Sequence, residues 1–498
     1  MPDNLEELTA AVQALPYLYQ PIFGYEIQGA KPIRNCEDRL ADVKKIYDAL
    51  SAELRRPLRV LDLGCAQGYF SLYAAKWGGV VTGLDFEAAN IDLCRLLARE
   101  NADLKVNFVC TRIEDFLPTV KAGEYDLVLC FNVLHWCSKF SGFEVVQAQL
   151  ADLAQKIDIG LFELALKSEG IFQDCNLPEN YRDFLTGFSF VRVLSYNYRH
   201  IRPDLAHVKR PLCFASTKYA WFENLGLLKI DDVLVSPRGA RTICYFCGDK
   251  FVKITNITDE AQYGRAQREI NFLNTFGGQK GLPRLYITIN EQDESGMRII
   301  HVRDMIAGKT LREKITNGEN FDRWNVIRQT LEWMVLFEQQ GYYQGDVGAH
   351  NLIYTDDGRI YPVDYETIGD SPALYLWLYS AKLQFLNFIN FILEPGKSNE
   401  YTFPLPMYLL NLKKHVTPRQ YERIAAIRED EKFFARLYEI LFEPEKDAEA
   451  YTVAETEILA IERYVSYIGT KTQEHEEQIA EQQRRIEELE KIIRERLT

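Results

Sequence analysis

The chain has 498 residues, long enough for about two to three domains with separate cores, and its 47% apolar and 12% aromatic content marks folded globular matter. Its 58 basic against 72 acidic residues give a formal net charge of −14, which excludes a general nucleic-acid footprint and leaves only a local basic patch as a possibility. A polar, acidic start and the lack of an uninterrupted apolar span lead us to expect a cytoplasmic protein. The ten cysteines stand at irregular spacings up to Cys247, the pattern of reduced thiols, and the lone Cys244-x-x-Cys247 has no second pair or nearby histidine to complete a zinc site.

From Pro16 to Leu40 the chain is aromatic, punctuated by Gly and Pro, and irregular, as a lid would be, although a surface loop has the same composition. Residues 58 to 164 then alternate apolar strands with helical patterns, the signature of a parallel sheet wound with helices. The strand Val60-Leu61-Asp62-Leu63 breaks at Gly64-Cys65-Ala66-Gln67-Gly68 into a helix from about Tyr69. A second strand, Val80 to Asp85, ends in an acid that would accept both hydroxyls of a ribose. A dinucleotide oxidoreductase would need Gly-x-Gly-x-x-Gly to seat a pyrophosphate, whereas only two glycines, separated by three residues, stand here.

With Asp62 before the turn and Tyr125 to Asn132 as a later strand, this stretch resembles class I, Rossmann-like S-adenosylmethionine-dependent methyltransferases. The resemblance implies Gly64 and Gly68 against the methionine part, Asp85 on the ribose, Thr111 to Glu114 near adenine, and Asp62 and Asn132 among the other cofactor-binding residues. Arg112 stands where that family usually has an acid, with Glu114 two residues on. Tyr19, Gln20 and Arg39 of the lid would close on the cofactor, Arg39 pairing its carboxylate. Arg34, His135, Arg192 and Arg210 are candidates for an anionic methyl acceptor, each with an ordinary structural role as the alternative. Phe188 to Leu194 and Leu212 to Ala215 read as the last strand pair, so the methyltransferase domain covers 1–218.

Residues 219–450 carry a second set of motifs. Lys253 lies in the apolar strand Phe251-Val252-Lys253-Ile254, where a buried ammonium needs an anionic partner. Glu269 follows on a helix expected over Glu260 to Asn274, and Ile299 to Gly308 reads as a strand running into a hinge. Asp346, then Asn351 and Asp364, complete a set that resembles the protein-kinase-like fold. The resemblance implies Asp346 at the acceptor hydroxyl, Asn351 and Asp364 on magnesium, Lys253 with Glu269 at the phosphates of ATP, and Asp304, Met305 and Ile306 at adenine.

Ser236 to Arg241, the loop expected over the phosphates, has one glycine, Gly239, and Arg238 and Arg241 could compensate by side-chain contact. Gly345 replaces the usual arginine and Asp364-Tyr365-Glu366 replaces Asp-Phe-Gly, so a small-molecule or sugar kinase fits better than a protein kinase. The apolar run Leu374 to Leu393 reads as a buried helix. From Ile458 a heptad follows, with Ile458, Val465, Thr472, Ile479, Ile486 and Ile493 at the a positions. Residues 451–498 are therefore expected to form a parallel coiled coil, truncated at Thr498, with dimer and trimer both open.

The order methyltransferase, kinase-like domain, coiled coil is similar to that of the bifunctional kinase-methyltransferases that terminate polymannose O-antigen chains in Gram-negative bacteria. That resemblance implies phosphorylation by ATP of the non-reducing terminal mannose on a lipid-linked polysaccharide, then methylation of the phosphate. It also implies a trimeric coil, a partner mannosyltransferase, and peripheral attachment at the inner membrane. Two other classes fit the motifs less fully: a methyltransferase of RNA or a small molecule fused to an inactive kinase-like binding module, and a scaffold assembled by the coil with both pockets vestigial.

Overall fold

The computed structural model describes residues 5–26, 31–169, 175–198, 209–235, 242–293, 296–369, 380–395, 411–427 and 430–443. Arg238, Gly239, Arg241 and the expected coiled coil lie outside them. The chain forms two compact units, residues 1–256 with 291–298, and residues 257–290 with 299–498.

The first unit begins with helices α1 (Leu5–Gln13) and α2 (Glu37–Leu54). Then come β1 (Arg59–Leu63), α3 (Tyr69–Lys76), β2 (Val80–Asp85), α4 (Ala88–Glu100), β3 (Val106–Cys110) and α5 (Ile113–Phe116). Next are β4 (Leu127–Phe131), α6 (Leu134–Ser141), α7 (Phe143–Ala154), β5 (Ile159–Glu163), α8 (Tyr181–Phe184), β6 (Phe190–Tyr198) and β7 (Lys209–Ser216). The sheet order is β3-β2-β1-β4-β5-β7-β6, with β1 to β5 parallel and β7 antiparallel to both neighbours. Strands β4 and β5 are buried along their whole length, which is why they read as continuous apolar runs rather than alternating ones. Ile91, Leu97 and Phe108 belong to one cluster of the core, and Leu150, Leu153 and Phe162 to another. This topology puts the ends of β1, β2, β4 and β5 along one edge, where open α/β sheets bind ligands.

The hairpin β8 (Tyr219–Phe222) and β9 (Gly226–Lys229) follows. Strands β10 (Asp232–Val235), β11 (Thr242–Cys247) and β12 (Lys250–Ile257) then pair antiparallel in order. The boundary expected at 218 falls between β7 and β8, but the compact unit continues to 256. Its reason is local packing: the Tyr245 hydroxyl donates to the Ser189 carbonyl at 2.5 Å, and the Phe190 ring meets Tyr245 and Phe222 edge-on.

The second unit contains α9 (Glu260–Phe276), whose first turn is capped by Asp259 accepting from the Gln262 amide. The neighbouring strands β13 (Leu285–Asp293) and β14 (Gly296–Asp304) follow, with their residues 291–293 and 296–298 counted in the first unit, then β15 (Lys309–Thr310), α10 (Leu311–Thr316) and α11 (Arg323–Gln339). Short strands β16 (Tyr343–Gln344), β17 (Leu352–Tyr354), β18 (Ile360–Pro362) and β19 (Ile368–Gly369) frame the loops that carry Asp346 and Asp364. Helices α12 (Ala381–Leu393), α13 (Pro418–Ala426) and α14 (Phe433–Phe442) complete the described residues. The apolar run expected to be a buried helix is one from Ala381 onward: Leu383, Phe385, Leu386 and Ile389 sit in the unit's core, and Ser380 caps the helix. No helix among the described residues is long and apolar enough to cross a membrane.

Candidate active sites

In the first unit the turn after β1 carries the cofactor motif. Gly64 and Gly68 have φ of +74° and +75°, a backbone region open chiefly to glycine. A Cβ at Gly64 would lie 2.9 Å from Val133, and one at Gly68 2.9 Å from the Cys94 sulfur and 3.2 Å from the Phe108 ring. Both glycines are thus demanded by conformation and by packing against neighbouring elements, in addition to any approach of a ligand. Asp85, at the end of β2, accepts from the amides of Ala66 and Glu87, each at 2.9 Å, and from Asn90 Nδ2 at 3.3 Å. Burial raises its pKa, and those donors oppose the shift. Asp62 is fully buried and accepts from Ser71 Oγ at 2.6 Å; burial first, with Asp85 adding to it against that bond, pushes its pKa to about 7.

The structure brings the expected lid residues onto this turn. Gln67, read in the sequence only as a spacer between glycines, accepts from the Tyr19 amide at 3.1 Å and the Gln20 amide at 2.9 Å. Gln20 Oε1 in turn accepts from the Tyr69 amide at 3.1 Å.

A second residue missed in the sequence organises the arginines. Glu163, at the end of β5 and 1% exposed, receives Arg34 Nη2 at 2.9 Å, Arg39 Nη1 at 2.8 Å, and Asn132 Nδ2. Arg39, expected to pair the cofactor's carboxylate, has a protein carboxylate here; it also donates to Cys36 Sγ, and its guanidinium lies over the Phe70 and Phe131 rings. Asn132, at φ +59°, passes the network to Arg210, which donates to its Oδ1 at 2.6 Å and forks onto Glu169 at 2.7 Å. Arg34, Arg39, Asn132 and Arg210 are therefore one buried group.

Arg192 is not in that group: it donates to the Trp221 carbonyl and pairs with Glu291 at 3.3 Å. His135 is buried on α6. Thr111 donates its amide to the Asp85 carbonyl, and Arg112 and Glu114 pair with each other at 3.0 Å on α5 and the residue before it. Asp126, in the motif strand, belongs to the opposite end of the sheet. Burial would raise its pKa, but Arg56 and Arg59 hold it down to about 2.

In the second unit Asp346 and Asn351 meet as expected, Asn351 Nδ2 donating to Asp346 Oδ2 at 3.1 Å. His350 Nε2 lies 3.6 Å from the same oxygen, and its interaction with the carboxylate is the first cause of a lowered Asp346 pKa, against burial. Asp364 stands with Glu269 and Glu366, their carboxylate oxygens within 4.8 Å of one another. Glu366 was not expected there, because the motif position normally holds glycine. Tyr365 is fully buried, stacked on Phe272 of α9 at 4.9 Å, with its hydroxyl donating to the Pro362 carbonyl at 2.5 Å. Gln344 Nε2 donates to the Asp364 carbonyl and its Oε1 accepts from Thr367 Oγ1 at 2.7 Å, which ties the two functional loops together.

Asp304 donates its amide to the Arg284 carbonyl at 3.0 Å, and its own carbonyl accepts from Arg303 Nη1 at 3.3 Å. Lys253 lies on β12, in the first unit, and is buried. A cavity of about 580 Å³ in the second unit, between α11 and α14, is lined by Trp333 and Tyr438 and by none of the expected site residues.

A family model described as a methyltransferase domain matches residues 60–153. The chain is 28% identical over 424 residues to the O-antigen chain terminator bifunctional methyltransferase/kinase WbdD of Escherichia coli, covering 82% of this chain and 59% of that protein. The chain thus spans about three-fifths of the length of the curated relatives it matches. A low-resolution structure of WbdD with an ordered C-terminal bundle is similar at a TM-score of 0.77 and 25% identity, covering 98% of this chain and 99% of that one. A crystal structure of WbdD gives a TM-score of 0.69 at 25% identity, covering 91% and 99%. The fold is a class I methyltransferase domain followed by a protein-kinase-like domain, and the resemblance read from the motifs holds over most of the chain.

Proposed function

We propose that the chain ends the growth of a lipid-linked polymannose O-antigen: ATP phosphorylates a hydroxyl of the non-reducing terminal mannose, and S-adenosylmethionine then methylates that phosphate. The supporting observation is the likeness to a bifunctional methyltransferase/kinase over 82% of the chain, with a candidate constellation retained in each part. In the kinase step the sugar oxygen attacks the γ-phosphorus, the bond to ADP breaks, and Asp346 takes the hydroxyl proton. His350 and Asn351 favour the ionised form that this role needs. Lys253 would engage the phosphates, with Arg238, Gly239 and Arg241 covering them and Met305 and Ile306 at adenine.

Three carboxylates suit a hard cation, so Asp364, Glu366 and Glu269 fit magnesium, with Asn351 added by the resemblance, and the ion when bound would offset the charge of the phosphates.

For methyl transfer, Asp85 would hold the ribose hydroxyls, and Arg34 and Arg210 would draw in the phosphomonoester. One of its oxygens attacks the methyl carbon as the carbon–sulfur bond breaks, leaving S-adenosylhomocysteine. That oxygen is already ionised near neutral pH, so alignment matters more than a general base. Each candidate arginine now holds a protein carboxylate, Arg34 that of Glu163, Arg210 that of Glu169 and Arg192 that of Glu291, so the phosphate would have to displace or share it. The polymerising mannosyltransferase, assembly as a trimer through 451–498, and attachment at the inner membrane belong to the same reading.

ATP consumption measured with a mannose oligosaccharide tests it. The wild type should turn over only with the acceptor present, and Asp346→Ala should lose roughly a hundredfold or more of that rate while still binding ATP in calorimetry. No acceptor-dependent consumption, or wild-type turnover in the variant, would contradict it.

A further inference from the structure

One side chain ties the N-terminal segment to the cofactor turn. Gln67 is 1% exposed, and its Oε1 accepts from two successive amides, Tyr19 and Gln20, at 3.1 and 2.9 Å. Its Nε2 donates to Asn90 Oδ1 at 2.7 Å, and Asn90 Nδ2 donates to Asp85 Oδ1 at 3.3 Å. On the other side, the Arg34 amide donates to the Tyr19 carbonyl at 3.0 Å and the Ile33 amide to the Leu18 carbonyl at 2.9 Å. Arg34 ends on Glu163. A continuous run of hydrogen bonds and covalent links thus joins the ribose acid Asp85, through Gln67 and the lid, to the carboxylate that gathers the arginines.

A glutamine amide suits this place because it offers a two-lone-pair acceptor and a donor in one neutral planar group. A carboxylate would accept from the amides but could not donate to Asn90. Asn90 would then turn its amide toward the new carboxylate and away from Asp85. A shorter or apolar side chain would leave the amides of Tyr19 and Gln20 without their acceptor.

We propose that Gln67 is a positioning residue for methyl transfer, clasping the N-terminal segment over the cofactor turn and, through Asn90, orienting Asp85 toward the ribose. It rests on the methyl-transfer reading given above.

Hydrogen exchange at the Tyr19 and Gln20 amides, with calorimetry using S-adenosylhomocysteine as the probe, tests both halves of the proposal. In Gln67→Ala both amides should exchange roughly tenfold faster and affinity should fall by a similar factor, as expected for a buried hydrogen bond lost. KM for S-adenosylmethionine should rise while kcat stays near wild type, a split that loss of folded enzyme would not give. Gln67→Glu should keep the amide protection but lose affinity, because only the link to Asp85 is cut. Wild-type affinity in either variant, or unchanged exchange in Gln67→Ala, overturns the proposal. If Gln67→Ala does not fold, the isosteric Gln67→Glu decides by its affinity alone. Failure of the wild type to bind the probe would instead sink the methyl-transfer reading, with exchange at Tyr19 and Gln20 in Gln67→Ala still reporting the clasp by itself.

Discussion

Asp62 shows how one buried group sets a pH dependence. Unfolded, its carboxyl ionises near the ordinary 3.8, while in the fold burial pushes it to about 7. Between those values the folded chain holds a proton that the unfolded chain has released, so this group makes stability fall as pH rises, and the loss levels off above about 7. The gap corresponds to about 4 kcal/mol at most, since each pKa unit is worth about 1.4 kcal/mol. Asn at this position keeps an acceptor for Ser71 and cannot ionise. Thermal unfolding of the unliganded protein should therefore show Asp62→Asn gaining on the wild type as pH rises from 5 to 8. A difference that does not change with pH would mean Asp62 is ionised throughout. At this scale motif spacing singled out Asp85, Asp346, Asn351 and Asp364, and the structure sets Asp85 beside the glycine turn and Asn351 against Asp346. The sequence was not legible at Gln67, Glu163 and Glu366. Those roles depend on partners 47 to 129 residues away, as in the bonds of Gln67 to Gln20 and of Glu163 to Arg34, or on a motif position where glycine is the usual reading.

The strand–turn–helix unit of β1 and α3 is where the backbone limits what the element tolerates. Gly68 sits at the N-terminus of α3 in the left-handed region, with the Cys94 sulfur and the Phe108 ring where a Cβ would go. Gly68→Ala combines a left-handed alanine with a contact under 3.0 Å, and it should lower stability by roughly 1–3 kcal/mol in denaturant unfolding. Gly123 has φ +70° with open space around it, so Gly123→Ala carries the conformational cost without the clash and should lose less. Equal losses would show that packing against α4 and β3 does not matter at Gly68. The glycines were visible in the sequence as a ligand-approach signal; their second constraint, set by residues 26 to 69 positions further on, was not. Helix α9 was legible nearly to its ends, since Asp259 caps it and its apolar spacing is regular. The late strands β6 and β7 run longer than their apolar stretches suggested, to Tyr198 and from Lys209, because strand pairing there extends over polar residues such as Asn197 opposite Arg210.

For the whole molecule, the two sets of catalytic candidates follow from the charge each acceptor carries. On the proposed reading a mannose hydroxyl is neutral and would give its proton to Asp346, while a phosphomonoester is anionic and would take Arg34 and Arg210 in exchange for their present carboxylate partners, Glu163 and Glu169. The domain order was legible because each part carries its own motif, whereas the edge of the first compact unit was not. Tyr245 and Phe222 pack on the last strands of the methyltransferase sheet, and that contact carries the unit past the boundary expected at 218. If this account is right, methylation depends on phosphorylation. The most direct measurement is a mass spectrum of a mannose oligosaccharide after incubation with S-adenosylmethionine alone, with ATP alone, and with both. The account predicts no change, one phosphate, and one phosphate plus one methyl group, respectively, with Asp346→Ala giving neither addition until a pre-phosphorylated acceptor is supplied. A methylated glycan without phosphate, formed in the absence of ATP, would contradict it.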